Sequence, residues 1–166
     1  METGTFDLLA PQVVIAAVED ACGCELDGTL TAYPSYVNRV YGLREVDGED
    51  FIVKFYRPGR WSAEAIADEH AFVADCDRSE VPVVAPLATP DGDSIGSVVA
   101  ETDGEGGSET GTEEQEFLFA LYPKRGGRNF DAESDDDWIR LGSVAGRIHA
   151  ASRAGAADHR LVCSHA

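Results

Sequence analysis

The sequence predicts an α+β fold, with an antiparallel sheet of four to five strands, one helix packed across it, and a further helix at each end. Three observations predict it. β-prone runs occur in pairs joined by turn chemistry. Three other stretches repeat apolar residues at helical spacing behind recognisable start signals. A chain of 166 residues is long enough to bury one core.

In chain order, Pro11 to Cys22 reads as a helix. Pro11 suits its first position, Val14, Ile15 and Val18 share a face, and Gly23 suits a left-handed stop. Val37 to Tyr56 reads as a hairpin around Val46-Asp47-Gly48-Glu49, because Asp-Gly is a tight-turn signal. Its second strand, FIVKFY, is apolar on both parities and is therefore expected to be central. Ser62 caps a second helix running to about Cys76, with Trp61 and Ile66 placed as a hydrophobic staple. The three prolines of VPVVAPLATP make that segment an extended link or an edge strand. A second hairpin joins about Ser94–Val99 to Phe117–Tyr122 through a solvated loop with seven acids and no base between Glu101 and Glu116. After PKRGGRNF, Ser134 and Asp137 open a third helix with Trp138, Leu141, Val144, Ala145 and Ile148 as its apolar stripe. It ends near Ala151, has no evident partner in the chain, and is followed by what reads as a frayed tail.

Thirteen basic and thirty-one acidic side chains give a net charge of −18, and the only lysines are Lys54 and Lys124. Such a surface repels nucleic acid and anionic membrane, so any phosphate site must be built locally. No apolar stretch approaches a membrane span, and the acidic start lacks the features of a secretory signal, which places the chain in the cytoplasm. Four cysteines (Cys22, Cys24, Cys76, Cys163) are too few and too irregularly spaced for a disulfide framework. Cys22, Cys24, Cys163 and His165 match no common zinc spacing, and the thiols are expected to be small buried or terminal groups.

Lys54 needs explaining, because it interrupts an otherwise uncharged strand and a buried ammonium requires a partner or a route to water. Glu69 lies three residues after Ile66 and four before Val73, on the apolar face of the following helix, while Asp68 turns away. Kinases hold the α- and β-phosphates of ATP with a strand lysine facing a helix glutamate. Alone, the pattern equally describes a structural ion pair or a solvated edge. The chain contains neither G-x-G-x-x-G nor a Walker P-loop. Ser35, in the loop before the first hairpin, offers a hydroxyl and backbone N–H to a phosphate, or forms a plain turn. Lys124, Arg125 and Arg128 around Gly126-Gly127 form either a hinge facing an adenine or a polar turn.

The strings S-Y-x-N-R-V-Y (Ser35 to Tyr41), V-K-F-Y-R-P-x-R-W (Val53 to Trp61), D-E-H (Asp68 to His70) and V-P-V-V-A-P (Val81 to Pro86) carry a family resemblance. They are joined by F-A-L-Y-P (Phe119 to Pro123), G-G-R-x-F (Gly126 to Phe130) and G-R-I-H (Gly146 to His149). Together they resemble the stress response kinase A family of bacterial serine/threonine protein kinases, built on the aminoglycoside-phosphotransferase and choline-kinase-like fold. The resemblance implies an ATP-binding kinase-like N-lobe over 1–122, an interlobe hinge over 123–130, and the start of a truncated C-lobe over 131–166. It implies Lys54 on the ATP phosphates with Glu69 as helix partner, Ser35 in the phosphate-proximal loop, and the backbone of Leu121 and Tyr122 as the adenine-facing hinge. The family's catalytic loop of the H-G-D-x-H-x-x-N kind, and the later acidic segment that holds Mg²⁺, are not in this sequence. No catalytic or metal residue is therefore assigned within it.

The expectation is the ATP lobe of a Ser/Thr kinase, inactive alone, whose parent acts on a protein substrate and which a companion C-lobe chain would complete. The alternative is a stand-alone nucleotide-binding or regulatory docking module. Few lysines and abundant Asp and Glu also suggest adaptation to high salt, where screening relieves self-repulsion. Dialysis into low salt is then expected to unfold the chain, as read by circular dichroism; a fully retained spectrum refutes that adaptation.

Overall fold

The computed structural model describes residues 6–101, 114–127, 130–153 and 155–161. Its elements are α1 (Pro11–Cys22), β1 (Leu26–Tyr33), β2 (Arg39–Glu45), β3 (Asp50–Phe55), α2 (Ala63–Arg78), β4 (Gly96–Glu101), β5 (Glu114–Pro123) and α3 (Asp135–Ala151). They fall into two compact units, Met1–Trp61 with Pro86–Lys124 and Ser62–Ala85 with Arg125–Ala166. Most of the acidic run between Glu101 and Glu116, together with Arg128, Cys163 and His165, lies outside the described residues.

The first unit holds α1 and one five-stranded antiparallel sheet in the order β1-β2-β3-β5-β4, so the FIVKFY strand is central, as expected. Gly48, with φ of 99°, makes the β2–β3 turn, and its N–H donates to the Glu45 carbonyl. Successive strand residues point to opposite faces. One face carries Leu43, Val53, Phe55, Phe117, Phe119 and Leu121, and onto it α1 packs Val14 and Val18. Pro11 starts that helix and Gly23, at φ 65°, stops it, as the sequence indicated.

One strand, β1, has no counterpart among the elements expected from the sequence; its side chains are mostly exposed and carry no apolar alternation. Of the two alternatives for the proline-rich 81–90 segment the structure has the extended link, which meets the sheet through the Leu87 N–H, donating to the Leu121 carbonyl at 2.8 Å.

The second unit holds α2 and α3. Ser62 accepts from the Ala65 N–H, and Ser134 and Asp137 cap each other reciprocally, both as the sequence indicated. The final helix does have a partner: Val144, Ile148 and Ala151 pack with Phe72, Cys76 and Val81. The N-terminal half of its stripe does not share that contact, since Trp138 and Leu141 are exposed.

Gly96 is required by its neighbour rather than by its backbone. A Cβ there would come within 2.4 Å of the Phe119 ring, which is fully buried and cannot swing away. Gly96→Ala is expected to destabilise the chain by about 1–3 kcal/mol through overpacking. Urea denaturation measures this, and an unchanged midpoint refutes it.

Candidate functional site

β3 presents its two parities differently. Val53 and Phe55 are fully buried in the core beneath α1. Lys54 therefore stands on the opposite face, with Ile52 and Tyr56 beside it and Ala120 and Tyr122 across on β5. Its ammonium lies 4.4 Å from the centre of the Tyr56 ring and 5.4 Å from that of Tyr122. Both ring faces attract a cation through their quadrupoles, a contribution of about 0.5–2 kcal/mol depending on desolvation. The two phenol oxygens are 3.4 Å apart, which fixes the rings relative to each other.

Ser35 lies in the β1–β2 loop and lines a cavity of about 190 Å³ with Asp7, Asn38, Arg39 and Arg57. The Arg57 N–H donates to the Asn38 side-chain oxygen at 3.3 Å, tying that loop to the end of β3. Two guanidinium groups, a hydroxyl and an amide thus share this cavity with the Asp7 carboxylate. Arg39 and Arg57 were not singled out as site residues, although both fall inside the strings that carried the family resemblance. Lys54 is not among the residues lining this cavity. Another cavity, of about 640 Å³, lies between α1 and the 89–98 segment; Asp20, Asp91 and Asp93 line it without a basic residue. It repels phosphate.

Leu121 and Tyr122 lie on β5 and pair with Val53 and Ile52 of β3. The Leu121 carbonyl is occupied by the Leu87 N–H, and the Lys124 N–H donates to the Asp50 carbonyl at 3.1 Å. The strand is thus held on both sides where it runs into the 124–127 turn. Lys124 also reaches the Asp50 carboxylate at 3.5 Å, and Arg44 reaches it at 2.8 Å. The Arg44 guanidinium, hydrogen-bonded to it, holds the Asp50 carboxyl below the usual range.

Glu69 belongs to the second unit, on α2. Arg160 lies 3.2 Å from its carboxylate and donates to the Ala65 carbonyl at 3.5 Å. Asp68, beside Glu69 on α2, meets the segment that follows α3. Only 18% of its side chain is exposed, and it accepts the His159 N–H at 2.8 Å. Within the tail read as frayed, His159 and Arg160 are therefore docked on α2, while its last residues lie outside the described ones. The nearest sequence signal was a pair of adjacent basic residues, His159-Arg160, matching a pair of adjacent acids.

A five-stranded antiparallel sheet whose central strand carries a lysine away from the helix-covered face, and which runs through β5 into a basic turn, is the architecture of a kinase-like phosphotransferase. The family model described as the phosphotransferase enzyme family, APH, matches residues 29–161, and the chain belongs to that family. It is 36% identical over 156 residues to stress response kinase A of Escherichia coli (strain K12), covering 94% of this chain and 42% of that protein. It is also 36% identical over 149 residues to the serine/threonine protein kinase RdoA of Salmonella typhimurium (strain LT2), covering 90% of this chain and 40% of that one. The chain thus spans about two fifths of the length of these relatives. Among solved structures it resembles the amicoumacin kinase hAmiN in complex with AMP-PNP, Ca²⁺ and Ami, with a TM-score of 0.69 and 20% identity over 94% of this chain and 44% of that chain. It also resembles the microcompartment-associated aminopropanol kinase, with a TM-score of 0.60 and 17% identity over 90% and 44% of the two chains. Among the described residues, no helix is long and apolar enough to cross a membrane.

The α2–tail contact has a definite pH dependence. The His159 backbone N–H, and then its ring, hold the Asp68 carboxyl below its ordinary value of 3.8. A lowered folded value means the contribution is complete above the ordinary value and is lost as pH falls through the lowered one. Asp68→Ala is expected to remove this contribution at neutral pH and to speed amide exchange at His159, with sheet amides unchanged. Equal exchange at His159 in both proteins refutes the contact.

Proposed function

We propose that this chain is the ATP-binding part of a serine/threonine protein kinase of the stress-response type. Within it, Lys54 takes the α- and β-phosphates, and Glu69 supplies the carboxylate that kinases set against that lysine. Ser35 belongs to the phosphate-proximal loop, with Arg39 and Arg57 adding positive charge beside it. The backbone around Leu121 and Tyr122 faces the adenine. The observation that carries this reading is the position of Lys54, a cation on the central strand pointing away from the helix-covered face.

ATP supplies the phosphoryl group, and Mg²⁺ offsets the charge of its phosphates. The Ser35 cavity suits a phosphate better than a metal, since two guanidinium groups, a hydroxyl and an amide line it with a single carboxylate, Asp7. The carboxylates for Mg²⁺, and the Asp that orients a substrate hydroxyl, are assigned to no residue of this sequence. We accordingly assign this chain nucleotide binding, with a protein as the substrate of the complete kinase and a cytoplasmic location. A companion C-lobe would complete the active site, and neither nucleic acid nor membrane is a partner of so acidic a surface.

Calorimetric titration of the chain with ATP and Mg²⁺ tests the reading. Saturable binding is expected, weakened about ten- to a hundredfold in Lys54→Met, as for loss of one charge-assisted contact. Absence of binding to the wild type, or equal affinity in the variant, overturns the assignment.

A further inference from the structure

A second group of side chains, away from Lys54, has the composition of a metal centre. α1 ends on Cys22, Gly23 reverses the chain at φ 65°, and Cys24 follows, so the two sulfurs meet and are bonded, with Cα atoms 5.3 Å apart. The third member comes from the sheet. Glu45 ends β2 opposite Leu26 of β1, and the neighbouring Val46 N–H donates to the Glu25 carbonyl at 3.0 Å. That pairing brings a Glu45 carboxylate oxygen and both sulfurs within 4.8 Å of one another, with all three residues half-buried. Asp47 and Glu49 add negative charge around the Glu45 carboxyl.

We propose that Cys22, Cys24 and Glu45 form a redox-gated site for a thiophilic divalent cation of the zinc class. In the oxidised form seen here the sulfurs are bonded to each other and have no thiolate to offer. A dithiol reductant opens the site by exchange: two electrons pass to the Cys22–Cys24 bond, two protein thiols form, and the reductant leaves as its own cyclic disulfide. Each thiol then gives up its proton as its sulfur binds the cation. Two thiolates and a carboxylate supply three tetrahedral positions at about 2.0–2.3 Å from the ion, and water takes the fourth. Ligand atoms around such an ion stand about 4 Å or less apart, so the observed grouping needs only side-chain adjustment once the sulfurs separate. Sulfur ligands disfavour Mg²⁺ and Ca²⁺. Because the ligands come from the end of α1 and the end of β2, the ion would link the helix to the sheet it covers.

The test is an anaerobic titration of the full chain with Co²⁺, a spectroscopic stand-in for zinc, after reduction with dithiothreitol and desalting. One Co²⁺ per chain is expected, with sulfur-to-cobalt charge transfer and the intense visible bands of a tetrahedral site. Reoxidised wild type is expected to show neither. Cys22→Ser or Cys24→Ser is expected to lower affinity at least about a hundredfold and Glu45→Gln about tenfold, while Cys163→Ser leaves it unchanged. Three results each overturn the site: no bands in reduced wild type, bands that survive in the Cys22→Ser/Cys24→Ser double variant, or bands that disappear in Cys163→Ser. The reduced and reoxidised comparison uses unaltered protein, so it holds even where a variant folds poorly. ATP binding is read separately by calorimetry and does not depend on this result.

Discussion

The alternation of side chains along the central strand is the constraint on which the rest of the first unit depends. Val53 and Phe55 are buried under α1, and Lys54 between them must then face the other way. Both neighbouring strands hold this register: Tyr41 and Leu121 lie opposite Val53, while Val40 and Ala120 lie opposite Lys54. A slip of one residue would drive an ammonium into the apolar core and expel two of its largest side chains. Core packing and the placement of the candidate phosphate-binding cation are therefore one arrangement, and neither changes without the other.

Electrostatics works differently in the second unit. With many more acids than bases in the chain, each cation must serve where it counts. His159 and Arg160 meet Asp68 and Glu69, joining residues about ninety positions apart in sequence. These pairs are partly exposed, and such pairs contribute modestly on their own. The apolar contact of Phe72, Cys76 and Val81 with Val144, Ile148 and Ala151 supplies the burial that ion pairs alone do not.

Much of the fold was legible wherever a local signal matched its structure. Asp47-Gly48 marked the β2–β3 turn, Ser62 and Ser134 marked helix starts, and the uniform apolarity of FIVKFY marked a central strand. β1 escaped because Asp27, Gly28, Thr29 and Thr31 present no apolar alternation; only pairing with β2 makes that segment a strand. The prolines of 81–90 left an edge strand and a link undecided, and one backbone bond from Leu87 is what the link makes with β5. Contacts between sequence-distant segments were the least accessible. Nothing local to His159 points to Asp68, and nothing local to Cys22 and Cys24 points to Glu45. For the candidate site, Lys54 could be singled out because a charge in an apolar run is conspicuous. Arg39 and Arg57 could not, since arginines at strand ends are ordinary.

β1 is also an outer strand of the sheet, and its irregularity bears on how the molecule behaves at high concentration. Its pairing with β2 shifts register between Leu26 and Leu30, where Gly28 takes φ of 84° and the Thr29 N–H donates to the Asp27 carboxylate at 2.7 Å. A kinked, polar border with a carboxylate folded back on its own backbone is a poor template for another chain to extend. This border of the sheet is thereby protected from stacking strand to strand with its own copies, which matters most where high salt screens the repulsion between such acidic molecules.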